Sequence, residues 1–347
     1  MSSNESTGGQ TIPGPPYVPQ VAQLGGQPTI LPDAPICGVL LGLFVLGAAT
    51  NMTIFQLNRR RGHKFLFSAL LFGFCMARIV ALTMRLVWTT HPTNINVAIA
   101  SNIFTAAGVL LLFIINLIFS QRMLRAYLPS IGWHRVVNYA YRFCFFSVIA
   151  LLIMVVTTVV HGFFTLDMSA RSKERDVQLF AGTYLAVLAF LPIPTTLLSI
   201  FLFRRQQKRL GGDSDGARVE KFGTGRFRSK VALLLFTATL LSLGAGFRIG
   251  VNYTTPRAAT NPAWYHHKAC YYCFNFVIEL IVVYTYALAR FDRRFHVPNG
   301  AKAAGDYAAL YGQGDGLGVN KESEVFGPSG DEQQHQQQTQ QGTAEKV

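Results

Sequence analysis

Hydrophobic residues are concentrated in seven long stretches, which short polar segments separate. The hydrocarbon core of a bilayer is about 30 Å thick, so a helix needs roughly 20 mostly apolar residues to cross it. The stretches have that length, and the segments between them are too short for a folded soluble domain. The pattern predicts an all-α membrane protein, a bundle of seven transmembrane helices. The predicted spans are 36–57, 65–88, 97–119, 143–164, 179–203, 231–251 and 269–289.

The composition is that of a membrane protein without obvious catalytic chemistry. Of the 347 residues, 50% are hydrophobic and only 14% are charged, whereas about 25% are charged in an average soluble domain. The chain has no Walker-type phosphate loop, no Ser-His-Asp pattern and no His-Glu-x-x-His sequence. We therefore expect no enzymatic activity and no cofactor. The net charge of +14 lies mostly in loops between spans, so we expect no nucleic-acid partner.

The distribution of basic residues predicts the orientation of the bundle. Residues 1–58 contain no Lys or Arg. The basic residues are concentrated in alternate loops, 59–64, 122–135 and 204–230, and after residue 289. By the positive-inside rule these segments are cytoplasmic. With seven spans, the N-terminus is then outside and the C-terminus in the cytoplasm, and the plasma membrane is the expected location. Anionic lipid of the inner leaflet is an expected partner of these loops, at about 1 kcal/mol per charge.

Both ends of the chain are predicted to be disordered, which leaves residues 36–298 as the membrane domain. Residues 1–35 are rich in Gly, Pro, Ser and Gln, and residues 299–347 end in a Gln-rich run. Such compositions cannot bury enough apolar surface to fold. Asn4 begins an Asn-Glu-Ser sequon, so glycosylation is expected there on the outer side.

Two local features are expected to modify the regular helices. Pro192 and Pro194 lie inside the fifth span, where proline removes a backbone hydrogen bond and kinks the helix. The kink is either a hinge or a static packing irregularity. After the last span, Phe291 and Phe295 lie four residues apart among basic residues, so 290–298 is expected to form a short amphipathic helix on the inner membrane surface.

Two ionisable residues near mid-depth are expected to form an intramembrane ion pair. Arg78 is about 20 Å from the inner end of the second span, and Glu279 is about 15 Å from the outer end of the seventh, at 1.5 Å per residue. A buried charge costs several kcal/mol unless it is paired or hydrated. If the two helices are neighbours, an Arg78–Glu279 pair removes both costs. Its role is either structural or that of a switch or proton relay.

Three further residues suggest an outward-facing polar chamber. Arg85 is seven residues after Arg78 and therefore on the same helix face, Arg248 is in the outer half of the sixth span, and His161 is near the outer end of the fourth. No acidic residue of the spans remains to neutralise both arginines. Arginine suits bidentate recognition of anions, so one hypothesis is a chamber for a carboxylate or lipid phosphate. The alternative is that the arginines snorkel to the headgroups or bind backbone carbonyls.

Basic residues at the inner ends of the third and fifth spans are candidates for contact with a cytoplasmic partner. They are Arg122, Arg204, Arg205, Lys208 and Arg209.

A CxxC pair with two nearby histidines raises the question of a metal site. Cys270 and Cys273 begin the seventh span, and His266 and His267 precede them. This combination of ligands can bind zinc. The neighbouring Trp and Tyr residues, however, are typical of the aromatic belt at a membrane interface, and we expect no metal.

Three segments carry a resemblance to a known family. They are 51–65 (NMTIFQLNRRRGHKF), 72–79 (FGFCMARI) and 106–119 (AAGVLLLFIINLIF). Together they resemble a family of fungal seven-helix membrane proteins of unknown function, whose members are often labelled family-C-like G-protein-coupled receptors. The resemblance covers about 36–298 and implies a receptor. The chain departs from receptor patterns in two ways. Ser120-Gln121-Arg122 stands where rhodopsin-like receptors have Asp-Arg-Tyr, and residues 1–35 are not expected to form the large outer ligand-binding domain of a family-C receptor.

Three functions remain open at the level of sequence, the third being a scaffold or assembly factor. The first is a receptor that senses a small or lipidic ligand in the outer half of the bundle and signals through the loop 204–230, with a G protein as a possible cytoplasmic partner. The second is a transporter or lipid-translocating exporter for an anionic amphiphile, in which Arg78 and Glu279 act as a gate. Recruitment of a G protein would favour the first, and ligand flux in vesicles the second.

Overall fold

The structure is a computed structural model that describes residues 14–17, 21–60, 65–165, 167–209, 219–297, 301 and 303–307. Seven helices in this part of the chain are long and apolar enough to cross a membrane, which confirms the predicted all-helical, seven-span architecture. The end of the bundle with residues 21–33 and 254–268 is called the outer end below, and the opposite end the inner end. These names follow the orientation that the loop charges predict.

Eleven α-helices occur in the described residues. They are α1 (Ile30–Arg60), α2 (Leu66–Thr90), α3 (Ile95–Tyr127), α4 (Pro129–Gly132), α5 (Arg135–Phe164), α6 (Met168–Phe190), α7 (Pro192–Arg209), α8 (Phe227–Tyr253), α9 (Lys268–Tyr272), α10 (Ile278–Leu288) and α11 (Phe291–Arg294). A 3₁₀ turn, Trp264–His266, precedes α9, and a π-helical turn, Cys273–Val277, joins α9 to α10. The helices mostly extend beyond the predicted spans into the interface, as residues outside the hydrocarbon core can continue a helix.

The fifth span consists of two helices that meet at a break. Helix α6 ends at Phe190 and α7 begins at Pro192. Pro192 has no N–H to donate to the preceding turn, and its ring crowds the carbonyl four residues earlier. The interruption predicted from the two prolines is therefore present, one residue before the first of them.

The helices form a ring around α3. Helix α1 packs on α2, and α2 packs on α3. Helix α3 also contacts α5, α7 and α8. Helix α6 packs on α5 and α8, and α10 closes the ring against α1 and α8. The fourth span is the most peripheral. Its exposed side chains are large and apolar, for example Phe143 and Phe146, which are 67% and 71% exposed. Lipid solvates such side chains as well as a protein core does.

The expected boundary of the outer tail needs correction. Helix α1 begins at Ile30 rather than 36, and Val21 forms an antiparallel bridge with Ala258. The N–H of Gly25 donates to the His266 carbonyl at 2.9 Å. Backbone hydrogen bonds to the 254–268 segment thus order residues that have too few apolar side chains to pack by hydrophobicity alone.

The prediction that 290–298 forms an amphipathic helix on the membrane surface is also wrong. Helix α11 has only four residues, Phe291–Arg294, and both Phe291 and Phe295 are fully buried. Phe295 stacks on Phe119 of α3 with ring centroids 4.2 Å apart. The aromatic face that the sequence pattern assigned to lipid is therefore packed against the inner end of the bundle.

Candidate functional site

The structure brings Arg78 and Glu279 together in a two-point ion pair. Arg78 Nε lies 2.5 Å from Glu279 Oε2, and Nη2 lies 2.8 Å from Oε1. Both side chains are at most 1% exposed. The remaining donor, Nη1, reaches the carbonyl oxygens of Phe104 and Thr105 in α3, at 3.2 and 2.8 Å. Gly108 makes room for this approach, since a Cβ there would lie 3.1 Å from Arg78 Cζ. Each of the three guanidinium nitrogens thus has a partner, as a buried charge requires.

Arg248 of α8 adds a second cation to the same carboxylate. Its Nη1 lies 3.5 Å from Glu279 Oε1 and 3.3 Å from Asn275 Oδ1. Asn275 lies in the π-helical turn, and its amide donates to the Tyr271 carbonyl at 3.0 Å. Such turns are frequent at functional sites because they redirect side chains out of the regular helical pattern. Glu279 consequently links α2, α8 and α10 near mid-depth.

Arg85 has an acidic partner that the sequence analysis did not assign to it. Its Nη2 lies 3.3 Å from Asp33 Oδ1 and 2.9 Å from the Gly25 carbonyl, and its Nε donates to the Tyr272 hydroxyl at 3.1 Å. The side chain is 2% exposed. The inference that no acidic residue remains for the arginines is thus wrong, because Asp33 lies inside α1 rather than in a tail.

Asp33 is the centre of an outer charge network that joins three helices. It is fully buried, accepts a 2.5 Å hydrogen bond from the Tyr272 hydroxyl, and also binds the Lys268 ammonium. The ring of Tyr271 lies 4.1 Å from the Arg85 guanidinium carbon, which adds a cation–π contact. The network contains two cations, one carboxylate and two tyrosines, and ties α1, α2 and α9 together.

His161 lies apart from the other residues of the expected chamber. It is 62% exposed at the end of α5, where it contacts Glu174 of α6. Within the described residues no contact joins it to Arg85 or Arg248. The three residues therefore do not share one chamber, and each has its own partner.

A cleft of about 680 Å³ opens at the outer end, directly above the outer charge network. Residues 21–27 form one wall, and residues 259–268 form the other. Trp88, Trp264 and Lys268 are among its lining residues. The Lys268 side chain therefore lies at the boundary between the cleft and the buried carboxylate of Asp33. This volume is large enough for a small ligand.

His266 supplies a neutral polar group to the wall of the cleft. Burial lowers its pKa, and the charge of Arg257 acts in the same direction. Its Nδ1 accepts a hydrogen bond from the Ala263 N–H at 3.2 Å, which requires that nitrogen to be unprotonated. Lys268 is then the cation of the cleft wall. Among the described residues no three His, Cys, Asp or Glu side chains group for a metal ion.

The expected cytoplasmic surface divides into two parts. Arg122 is half-buried: it donates to the Phe295 carbonyl, and its guanidinium carbon lies 4.7 Å from the Phe67 ring. Its position is therefore structural. The other four residues are exposed at the end of α7: Arg204, Arg205, Lys208 and Arg209. Asn4, the expected glycosylation site, lies outside the described residues.

One residue of the predicted loop 204–230 is a buried cation at the inner end. Lys230 is 0% exposed, donates to the carbonyl of Phe222, and lies 4.5 Å from the centroid of the Phe222 ring. Through this contact Lys230, in the first turn of α8, holds the preceding segment around Phe222 against the helix. The sequence signal for this contact is the presence of Phe222 and Phe227 eight and three positions before Lys230, since aromatic rings near a lysine favour cation–π contacts.

Comparison with known proteins gives one limited match. A family model described as a protein of unknown function (DUF3112) matches residues 223–296, less than half of the chain. This region includes α8, the outer loop, the π-helical turn, Glu279 and α11. No curated protein matches the chain, and no solved structure matches it.

Proposed function

We propose that the chain is a seven-helix receptor that senses a small or lipidic ligand in the outer cleft and signals through the segment 204–230. The observation that supports this proposal best is the position of Lys268. Its side chain lines the cleft and at the same time binds Asp33, which also contacts Arg85 and Tyr272. A ligand in the cleft can therefore act directly on a contact that joins three helices. The proposed location is the plasma membrane.

The outer network has a physical connection to the ion pair at mid-depth. Tyr271 contacts Arg85 through its ring and accepts a hydrogen bond from Asn275 at its carbonyl. Its hydroxyl lies 3.5 Å from the Thr105 hydroxyl, and the Thr105 carbonyl binds Arg78. A shift of α9 would consequently alter the surroundings of both charge clusters. Coupling between distant sites requires such contiguous contacts or another shared two-state element.

The cleft suits a mainly apolar ligand that carries one anionic group. Trp88 and Trp264 offer aromatic surface, and Lys268 offers a positive charge. An incoming carboxylate or phosphate would compete with Asp33 for the Lys268 ammonium. Arg85 and Tyr272 would still hold Asp33, so its charge would not be left unpartnered. The free-energy cost of replacing the Asp33–Lys268 contact by a ligand–Lys268 contact is thereby kept low.

The output surface in this proposal is the basic end of α7 with the loop that follows. The four exposed basic residues there, together with the loop, would contact an acidic surface of a cytoplasmic partner, for which a G protein is the candidate. Charge complementarity of this kind speeds association and selects partners. The inner aromatic contacts of Phe222 and Phe295 connect this region to α3.

The test is proximity labelling in the native host with the full chain. The test variant replaces Arg204, Arg205, Lys208 and Arg209 by Gln and residues 210–218 by a Gly/Ser segment of equal length, which leaves the packed segment 219–230 intact. The proposal predicts that a G-protein subunit is labelled by the wild-type chain and lost with the variant. Labelling of lipid-handling or transport proteins, equal for both chains, would contradict it.

A transporter or lipid-translocating exporter for an anionic amphiphile is the second candidate. The observation in its favour is that Arg248 is 23% exposed although its partner Glu279 is 1% exposed. An anionic headgroup could therefore approach one edge of the mid-depth charge cluster. Flux of a labelled anionic lipid in vesicles that contain the purified chain would support this function, and flux unchanged from protein-free vesicles would contradict it.

A further inference from the structure

A second cleft, of about 430 Å³, lies at the inner end between α7 and the α3–α4 corner. Its walls combine apolar and cationic side chains. Leu128, Ile131 and Leu202 form the apolar part, and Arg205 and Arg209 with Gln206 form the polar part. The two arginines are four residues apart and therefore project from the same side of α7.

Within the part of the chain that the structure describes, the positive charge of the two arginines is unbalanced. Both side chains are exposed, and no carboxylate of the described residues lies within ion-pair distance of either one. By contrast, every arginine or lysine that is buried in the bundle binds a carboxylate, a carbonyl or a ring. Two exposed guanidinium groups beside an apolar wall are complementary to an anion that carries an apolar chain.

The cleft lies where the lipid-facing surface of α7 ends. Leu198, Leu202, Arg205 and Arg209 recur at helical spacing and share one face of the helix. Leu198 and Phe201 are 55% and 61% exposed, as expected for side chains in contact with acyl chains. Arg205 follows Leu198 by seven residues, which places it about 10 Å nearer the end of the helix. The predicted fifth span ends at residue 203, so Arg205 and Arg209 lie just beyond the predicted hydrocarbon core, at the expected level of the phospholipid headgroups.

We propose that this inner cleft binds an anionic phospholipid, with Arg205 and Arg209 on its headgroup phosphates and the apolar wall along the start of its acyl chains. Basic pockets between transmembrane helices on the cytoplasmic side are suited to such headgroups. The site stands apart from the outer cleft and does not depend on the chain being a receptor. Arg205 and Arg209 also belong to the partner surface proposed above, and no carboxylate in the described part of the protein balances their charge.

The experiment uses the full chain in phosphatidylcholine nanodiscs with and without phosphatidylinositol phosphate. Native mass spectrometry counts the anionic lipid that the protein retains. The test variant is Arg205→Gln/Arg209→Gln. The matched control is Arg204→Gln/Lys208→Gln, which removes the same charge from the same exposed turns of α7 but leaves the lining of the cleft intact.

The proposal predicts selective loss of lipid in the test variant. Its affinity for phosphatidylinositol phosphate should fall roughly 25-fold, since each of the two basic side chains near the surface contributes about fivefold. The control should lose less than about threefold. An equal loss of affinity in both variants, or no loss in either, would contradict the proposed lipid site. Displacement of the lipid by an equal concentration of soluble inositol phosphate would show that the ligand is a free polyanion, and would overturn the assignment to a phospholipid.

Discussion

The outer and inner ends of the bundle are held by different chemistry. At the outer end, Asp33, Arg85, Lys268 and Tyr272 form a charge network beneath an open cleft of about 680 Å³. At the inner end, aromatic rings from α3, α11 and the 219–230 segment pack together, with Phe119 and Phe295 stacked at 4.2 Å. Charged groups can exchange partners without leaving a void, whereas tightly packed rings cannot move without losing contacts. The comparison indicates an adaptable outer end and a fixed inner end.

The mid-depth ion pair lies between the two ends and should show the largest effect. Glu279→Ala leaves both Arg78 and Arg248 without their carboxylate, and we expect a loss of about 3–5 kcal/mol in the free energy of unfolding. Steric trapping in bilayers measures this quantity. Arg78→Ala should cost somewhat less, because Arg248 still neutralises part of the Glu279 charge.

The double variant Arg78→Met/Glu279→Leu distinguishes pairing from general core damage. Apolar side chains of similar length remove both buried charges, so much of the stability should return. Arg248 then keeps Asn275 and the Phe274 carbonyl as partners. A double variant as unstable as Glu279→Ala would remove the pairing explanation.

The second effect tests the fixed character of the inner end. Phe295→Ala removes a fully buried ring and should cost about 3 kcal/mol through the cavity that it leaves. Phe201→Ala is the matched control, since Phe201 is 61% exposed and faces lipid, which fills the vacated space. Steric trapping of both variants checks this prediction. Similar losses for the two would mean that the inner aromatic cluster is not tightly packed.

The third effect tests the adaptable character of the outer end. Lys268→Ala removes one of the two cations around Asp33, but Arg85 and Tyr272 remain. Because Lys268 is 20% exposed, we expect a loss of only about 1 kcal/mol. The midpoint of thermal unfolding in detergent is a sufficient readout. A loss as large as that of Phe295→Ala would make the outer end as rigid as the inner one.

The smallest expected effect is a pH dependence at the inner end. Burial raises the pKa of Glu220, with the charge of Asp306 acting in the same direction and the Gly305 N–H opposing it. The folded state therefore holds the proton more tightly than the unfolded state does. Its stability relative to a Glu220→Gln variant should fall as pH rises through this pKa. Thermal unfolding of both proteins from mildly acidic to neutral pH measures the difference. A constant difference would contradict the raised pKa.

The sequence predicted the spans and the partners of the deepest charges well. Hydrophobic length alone located all seven spans. Arg78 and Glu279 could be paired because they were the one strong acid–base match at mid-depth. In lipid a lone buried charge is so costly that few arrangements remain.

The sequence predicted the ends of the bundle poorly. Asp33 lies in a Pro-rich segment whose composition resembles that of a tail, and only backbone hydrogen bonds to the distant 254–268 segment reveal its burial. Phe291 and Phe295 have the four-residue spacing of an amphipathic helix. Two rings at this spacing could face lipid or face α3, and the spacing is identical in both cases. Long-range contacts decide between these, and periodicity carries no information about them.

Hydrogen exchange of the full chain in nanodiscs tests the central claim that the outer charge network is coupled to the inner end. Lys268→Ala is compared with wild type, and Gln27→Ala, an exposed residue of the same cleft, is the control. The receptor account predicts faster exchange for Lys268→Ala both in residues 21–33 and in residues 219–230 and 291–297, with no change at either end for Gln27→Ala. Faster exchange confined to residues 21–33 would contradict the account.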